Sequence, residues 1–254
     1  MIIDEISMVH EVFYKYFLIL QKMKPTLRFI VAGNFDQLLP VNDRVTQHYK
    51  LDYYISPALF DICNGNRLEL TKCRRSDDVC FKKVHPDNIK NLLSTDFNNK
   101  FTNRHLCFTN KKRISINKTM MDSEVARRKR TSLQLDKLSY DKNSQDVKLL
   151  AGTPIISTKN NQELEIYNNE TFIIKQIQHS KQNILIEDDA GNTKDIQFGE
   201  FQKLFYVAYC ITIHKCQGES YDHDYTIHEW SKLDSRLKYV ALSRTKQLEY
   251  SNVL

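Results

Sequence analysis

Asp4 and Glu5 stand side by side after the short apolar run Ile2–Ile3, in the opening stretch MIIDEISM. A β-branched run that ends in Asp-Glu puts two oxygen ligands at the carboxyl edge of a sheet. There one carboxylate can hold Mg2+ through its waters while the next orients or deprotonates an attacking water. Asp-Glu also follows apolar pairs by chance, so the reading depends on what comes after it. In GNFDQLLPV the amide of Gln37 can donate to a phosphate oxygen and accept from a water; an ordinary surface glutamine fits the same pattern. Arg74 and Arg75 close the run NRLELTKCRRS, where an arginine is either a solvated charge or a reach toward a γ-phosphate held by a neighbouring domain. Thr109 and Asn110 end RHLCFTN ahead of a helix. They serve as its caps, or as a hydroxyl and an amide beside a phosphate of nucleic acid. The densest cluster is ITIHKCQGES, with Thr212, His214, Lys215, Gln217, Gly218 and Glu219 directly after an apolar strand. Packing alone does not account for it. Arg244 ends KYVALSR, and a core strand over Tyr239–Leu242 leaves that arginine without a reason.

These residues need a frame that brings them to one edge. Val9, Val12, Phe13, Tyr16, Phe17 and Leu20 repeat with helical spacing, and Pro25 ends the helix. LRFIVAGN, residues 27–34, reads as a buried strand. Strand, helix and strand at these lengths make a βαβ unit whose parallel strands end on one side. DYYISPALFD, residues 52–61, is a short aromatic-rich element, and residues 66–76 are expected as a strand. A helix is expected near residues 87–93, and another over KKRISINKTMMDSEV with Ile114, Ile116, Met120 and Met121 inward. The run RRKR at 127–130 reads as a solvated face or loop, or as a localisation signal. From 149 to 204 the character changes. TPIIST, ETFIIKQIQ, NILIED and TKDIQF are short β-rich runs between Asn, Asp and Gly turns, the pattern of a small barrel or curled sheet inserted into an α/β domain. KLFYVAYC, residues 203–210, and KYVALSR both read as apolar strands.

The 254 residues suffice for two ordinary domains or one large one. With 41% hydrophobic and 11% aromatic residues a real core forms, which excludes global disorder. The net charge of +6 favours an anionic partner such as nucleic acid. Six cysteines form no CxxC pair, and Cys73, Cys80 and His85 match no zinc spacing, so they read as reduced thiols of an intracellular protein. No run approaches the ~20 apolar residues of a membrane span, and the first residues are not a signal peptide. Nucleus and cytoplasm both stay open.

In this order the segments resemble a superfamily 1 helicase of the group with RecD, the phage Dda helicase and the petite-integration-frequency helicases. IIDEISM resembles motif II, VAGNFDQLLPV motif III, LTKCRRS motif IV, ITIHKCQGES motif V and YVALSR motif VI. The β-rich insert falls just before motif V, where that group carries a small barrel. The resemblance implies a RecA-like P-loop NTPase helicase fold in the α/β class. Residues 1–76 would be the C-terminal remnant of a first RecA-like domain, and 77–254 a complete second one with its β-barrel insert. It implies ATP and Mg2+ as cofactors and single-stranded DNA and DNA junctions as partners. Asp4 would coordinate the metal and Glu5 activate the water. Gln37 would sense the γ-phosphate, with Arg75 (Arg74 the fallback) and Arg244 contacting it from the other side. Gln217, Gly218 and Glu219 would lie near the nucleotide. Thr109, Asn110, Thr212, His214 and Lys215 would line the single-strand track.

The sequence departs from that pattern in two places. Asn34 and Leu39 replace residues of the usual Gly-Asp and Leu-Pro-Pro of motif III. No GxxxxGK(S/T) loop occurs, so the chain alone is expected to be inactive, with the phosphate cradle supplied by a partner or a missing N-terminal segment. The expected function is the C-terminal part of an ATP-dependent DNA helicase moving 5′ to 3′, in replication or repair, with a large DNA virus suiting the Asn and Lys usage. A non-hydrolysing single-strand-binding module, half of a split helicase and an RNA helicase are the alternatives.

Overall fold

The computed structural model describes residues 1–38, 40, 56–70, 84 and 86–254, apart from the side chains of Pro86 and Asp87. Arg74, Arg75, Cys73, Cys80 and His85 lie outside the described residues. The chain divides into two compact units, Met1–Leu92 with Leu233–Lys246, and Leu93–Lys232 with Gln247–Leu254.

The first unit opens with β1 (Ile2–Ile3), α1 (Glu11–Met23) and β2 (Ile30–Val31), followed by α2 (Pro57–Ile62) and α3 (Pro86–Ile89). β1 and β2 pair in parallel, Ile2 with Ile30 and Ile3 with Val31, as the βαβ reading requires. The expected strand over residues 27–34 is only two residues long. α1 turns Tyr14 inward, where its hydroxyl donates to the Ile6 carbonyl at 3.0 Å. Phe17 lies against Phe29, ring centroids 5.5 Å apart. Ile6, Tyr14, Phe29 and Ile62 form the buried cluster there. Val12, Phe13, Tyr16, Ile19 and Met23 cover the outer face of α1 and are exposed. Residues 66–70, expected as the start of a strand, have no regular structure.

The second unit begins with β3 (His105–Cys107) and α4 (Asn110–Arg128). Thr109 caps α4, its Oγ1 accepting the Lys112 N–H at 3.2 Å. Next come the antiparallel pair β4 (Leu133–Leu135) and β5 (Val147–Leu149), then β6 (Pro154–Ser157), β7 (Thr171–Gln178), β8 (Asn183–Glu187) and β9 (Thr193–Gln197). α5 (Phe198–Leu204) leads to β10 (Phe205–Val207), and these five strands make an antiparallel sheet in the order β10-β6-β7-β8-β9. Alternate residues of β8 are buried, the period of two that makes such runs legible. β11 (Cys210–Thr212) and β12 (Tyr225–Ile227) follow, then α6 (Ser235–Leu242), which belongs to the first unit, and β13 (Ser251–Val253). A second sheet, all parallel, runs β11-β3-β12-β13. One buried cluster joins α4 to both sheets, from Cys107 and Met120 through Ile155, Phe172 and Ile186 to Cys210.

Two apolar runs differ from their reading as strands. KLFYVAYC is the end of α5, then β10, then a break before β11, so it serves two sheets. Asn117 of α4 fills that break: its Nδ2 donates to the Val207 and Cys210 carbonyls at 2.9 and 3.0 Å, and its Oδ1 accepts the Cys210 N–H at 2.8 Å. Without such a partner the broken ladder would leave buried backbone groups unmade. KYVALSR lies mostly in helix α6 rather than in a strand, with Asp234 as N-cap accepting the Leu237 N–H at 2.8 Å.

Candidate functional site

In the first unit the parallel ladder continues one rung beyond β1. The Ala32 N–H donates to the Ile3 carbonyl, and the Ile6 N–H to the Ala32 carbonyl, both at 2.9 Å. Asp4 and Glu5 are the residues left out between. Glu5 adopts a left-handed backbone, φ 51°, and the Asp4 Oδ1 accepts its N–H at 2.8 Å. The turn therefore lifts both carboxylates at the carboxyl end of the strand, with Asp4 exposed and Glu5 half-buried.

Gly33 brings the Gln37 loop to this turn. A Cβ on it would stand 2.9 Å from both Ile6 N and Ile6 Cγ2, so a larger residue would push the two segments apart. Beyond it, the Asn34 Oδ1 accepts the Asp36 N–H at 2.9 Å, and the Gln37 N–H donates to the Asn34 carbonyl at 3.1 Å. Gln37 itself is half-buried. The Asn34 Nδ2 reaches the hydroxyl of Tyr239 on α6 at 3.2 Å, a link between distant segments that the sequence did not reveal. Arg244 follows α6 and is 1% exposed; its Nε donates to the Val240 carbonyl and its Nη2 to Ser243 Oγ, both at 3.0 Å. Asp4 offers what Mg2+ takes from a protein: a hard carboxylate oxygen, open to solvent, that leaves room for waters and phosphates. Among the described residues no group of three or more His, Cys, Asp or Glu could hold a metal ion.

In the second unit the two predicted nucleic-acid segments are neighbours. β3 and β11 pair in parallel with Cys107 opposite Thr212, and the Ile213 N–H donates to the Cys107 carbonyl at 2.9 Å. The exposed His214 ring lies nearly parallel to Phe108, centroids 6.4 Å apart. The Thr212 carbonyl, accepting from Lys215 N–H at 2.8 Å and Cys216 N–H at 3.2 Å, curls the chain back on itself. Lys215 Nζ donates to Asn169 Oδ1 at 2.7 Å. Asn110 Oδ1 accepts from Arg113 Nε at 3.0 Å. Arg113 is buried, its guanidinium carbon 4.4 Å from the centroid of the Tyr206 ring, and burial draws its pKa down. Gly218 is exposed with φ 88°. Gln217 is half-buried beside it. Glu219 holds structure: its Oε2 accepts from the Tyr221 hydroxyl at 2.6 Å and from Arg104 Nη1 at 3.4 Å.

Glu229, which the sequence did not single out, is the residue that organises this edge. It follows β12 with φ 61° and turns its carboxylate under the Thr109 loop. The Phe108 and Thr109 N–H groups donate to Oε2 at 3.1 and 2.9 Å, the Thr109 hydroxyl donates at 3.1 Å, and Lys232 Nζ donates to Oε1 at 2.8 Å. Burial pushes its pKa up, but Lys232 and Thr109 outweigh that and hold it below the usual carboxylate range. Thr109 therefore already serves an internal anion. Behind it lie two buried histidines, His228 Nε2 and His105 Nδ1 3.1 Å apart.

No family model and no curated protein matches the chain. Solved structures do. A Pif1 helicase, from a study of unwinding at forked double-stranded DNA by two coordinating Pif1 helicases, matches 99% of this chain and 68% of its own, with TM-score 0.72 and 23% identity. Pif1 helicase from Bacteroides, solved with ADP-AlF3 and single-stranded DNA, matches 99% and 69%, with TM-score 0.67 and 21% identity. Pif1 helicase from Candida albicans matches 100% and 71%, with TM-score 0.69 and 15% identity. At these identities the likeness establishes the fold. The chain has, over nearly its whole length, the mixed α/β fold of part of these Pif1 helicase structures. Among the described residues no helix is long and apolar enough to cross a membrane.

Proposed function

We propose that this chain is part of an ATP-driven DNA helicase moving 5′ to 3′ along a single strand. The observation that supports it most is the close approach of Gly33 to Ile6, which sets the Gln37 loop beside the Asp4–Glu5 turn at the end of a parallel pair. A metal carboxylate, a water-directing carboxylate and a phosphate-sensing amide then share one edge. Asp4 would hold Mg2+, which when bound would draw charge from a triphosphate and fix its oxygens. Glu5 would orient the water and take its proton. Arg75 and Arg244 would meet the developing charge on the phosphate, a contact worth ~10³ to 10⁵ in rate in related phosphoryl transfer. Thr109, Asn110, Thr212, His214 and Lys215 would grip strand phosphates. Since the sequence carries no GxxxxGK(S/T), a partner chain or a further segment would have to cradle the phosphates. The second reading is a single-strand-binding module that does not hydrolyse ATP.

Fluorescence anisotropy with a labelled oligothymidylate and a duplex of equal length tests the shared part of both readings. The single strand is expected to bind more tightly. About three phosphate contacts would cost ten- to twentyfold in affinity over a fourfold rise in salt. Salt-independent binding, or a preference for the duplex, overturns the proposal. ATP turnover separates the two readings: the chain alone should stay at background with or without strand. A version completed with a phosphate loop should hydrolyse ATP and lose that on Glu5→Gln.

A further inference from the structure

The inserted sheet sends one turn to the candidate track. Between β6 and β7 the chain runs out as a hairpin, closed by a mutual pair of backbone bonds between Asn161 and Ile166. Ile166 is fully buried, so the hairpin is anchored. The turn Tyr167–Glu170 that follows is held from several directions. The Tyr167 N–H donates to Glu170 Oε2 and the Asn168 N–H to Asn160 Oδ1, both at 2.7 Å. The buried Ser157 Oγ donates to the Tyr167 carbonyl and accepts the Glu170 N–H at 2.9 Å. Asn169 takes a left-handed backbone, φ 70°, and donates its N–H to the Ser157 carbonyl at 3.2 Å. A turn this constrained presents two side chains outward. Asn169 meets Lys215 Nζ, and Tyr167, two residues away, is 61% exposed.

We propose that this turn is a wall of the single-strand path: Asn169 holds the Lys215 ammonium for a phosphate, and Tyr167 offers its ring to a base. The inference rests on the single-strand reading above. Base stacking on an aromatic ring is tolerant of sequence and complements a backbone contact, and a rigid turn supplies the ring without an ordering cost. Lys215 also profits from an anion. Burial and the nearby Arg113 charge both lower its pKa, and the negative charge of a phosphate would act against that lowering.

The test uses the full chain and two labelled strands of equal length, an oligothymidylate and an abasic deoxyribose-phosphate strand. Tyr167→Ala should weaken the oligothymidylate by about five- to fiftyfold and leave the abasic strand within about twofold. Tyr167→Phe should restore the loss, because the ring alone does the stacking. Asn169→Gly keeps the left-handed backbone and removes the amide; it should weaken both strands by a few fold. In a Lys215→Gln background, whose salt slope should fall by about one, Asn169→Gly should add nothing. An oligouridylate titration tells an RNA strand from a DNA strand, with the Tyr167→Ala loss expected on whichever binds more tightly. If wild type binds the strands and Tyr167→Ala binds both equally well, the inference falls and the single-strand reading stands. Additive effects of Asn169→Gly and Lys215→Gln likewise remove the positioning role. If wild type binds no strand, both fall.

Discussion

Around the Asp4–Glu5 turn the described buried cluster is Ile6, Tyr14, Phe29 and Ile62, under a parallel pair two residues long. Around the Thr109 and Thr212 loops it is a continuous core that runs through two sheets and one 19-residue helix. Backbone bonding differs in the same direction. The Glu5 N–H is held by the neighbouring Asp4 side chain, whereas the Phe108 and Thr109 N–H groups are held by Glu229, some 120 residues away. A short, locally bonded turn can reshape when a ligand arrives. A loop pinned by distant groups arrives at its ligand already shaped. The turn at Asp4–Glu5 is therefore held locally and the loop at Thr109 by distant groups, a contrast in backbone adjustability whatever each one binds.

Native-state hydrogen exchange reads this contrast amide by amide. Amides of β1, α1 and β2 should exchange through openings at least ~2 kcal/mol smaller than those protecting α4, β7 and β8, roughly a thirtyfold difference in rate. Apolar burial is worth ~25 cal/mol per Å², and the outer face of α1 leaves Val12, Phe13, Tyr16, Ile19 and Met23 largely in water. Equal protection in both regions would break the comparison and mean that the first unit is as firmly packed as the second.

The next effect is a pH dependence confined to the second unit. Burial first, then repulsion by His228 and Lys112, holds His105 at about 4, and burial with Lys112 holds His228 at about 4, despite the nearby Glu229. In the unfolded chain both titrate near ~6.5. A folded value below the unfolded one means that the unfolded state binds protons more readily between these limits. Stability from the pair is therefore complete above ~6.5 and is lost as pH falls toward 4. Each tenfold difference in proton affinity is worth ~1.4 kcal/mol, so the loss amounts to a few kcal/mol. Denaturant midpoints at pH 7 and 4.5 measure it, and an NMR titration showing either imidazole protonating at pH 6 or above contradicts it.

How much of this was visible in the sequence depends on how local its cause is. β7, β8 and β9 follow a period of two, and α4 announces itself by Thr109 and its inward methionines, so both were readable. The KYVALSR helix was missed because four consecutive apolar residues carry no period. The usable signal was Asp234, three residues before the first buried position of α6, a cap that a strand does not need. The broken strand at Ala208 was unreadable, because its cause is Asn117, a polar residue on a helix some 90 positions earlier. Glu229 was hidden for the same reason. Nothing beside it in sequence says that it will close on Thr109, whereas the residues resembling helicase motifs stood out by their neighbours alone. Tertiary hydrogen bonds made by ordinary polar side chains are what pattern reading lacks.

The smallest effect bears on whether the Thr109 loop is preorganised for an anion or already satisfied by one. Glu229 occupies the donors that a strand phosphate would use, and its charge stands where a phosphate is expected. Glu229→Gln keeps an acceptor oxygen for Phe108 and Thr109 and removes the charge; one side-chain oxygen becomes an amide, and Lys232 loses its ion pair. Repulsion between two unit charges at the spacing of one phosphate contact is worth ~1 kcal/mol in a water-like medium. Single-strand affinity should therefore rise two- to fivefold at low salt, and the gain should fade at high salt as screening shortens the field. Stability should fall modestly at the same time, because a charge-assisted bond becomes a neutral one. Unchanged affinity at both salt concentrations would place the phosphates away from Thr109, leaving Thr212, His214 and Lys215 to carry the track.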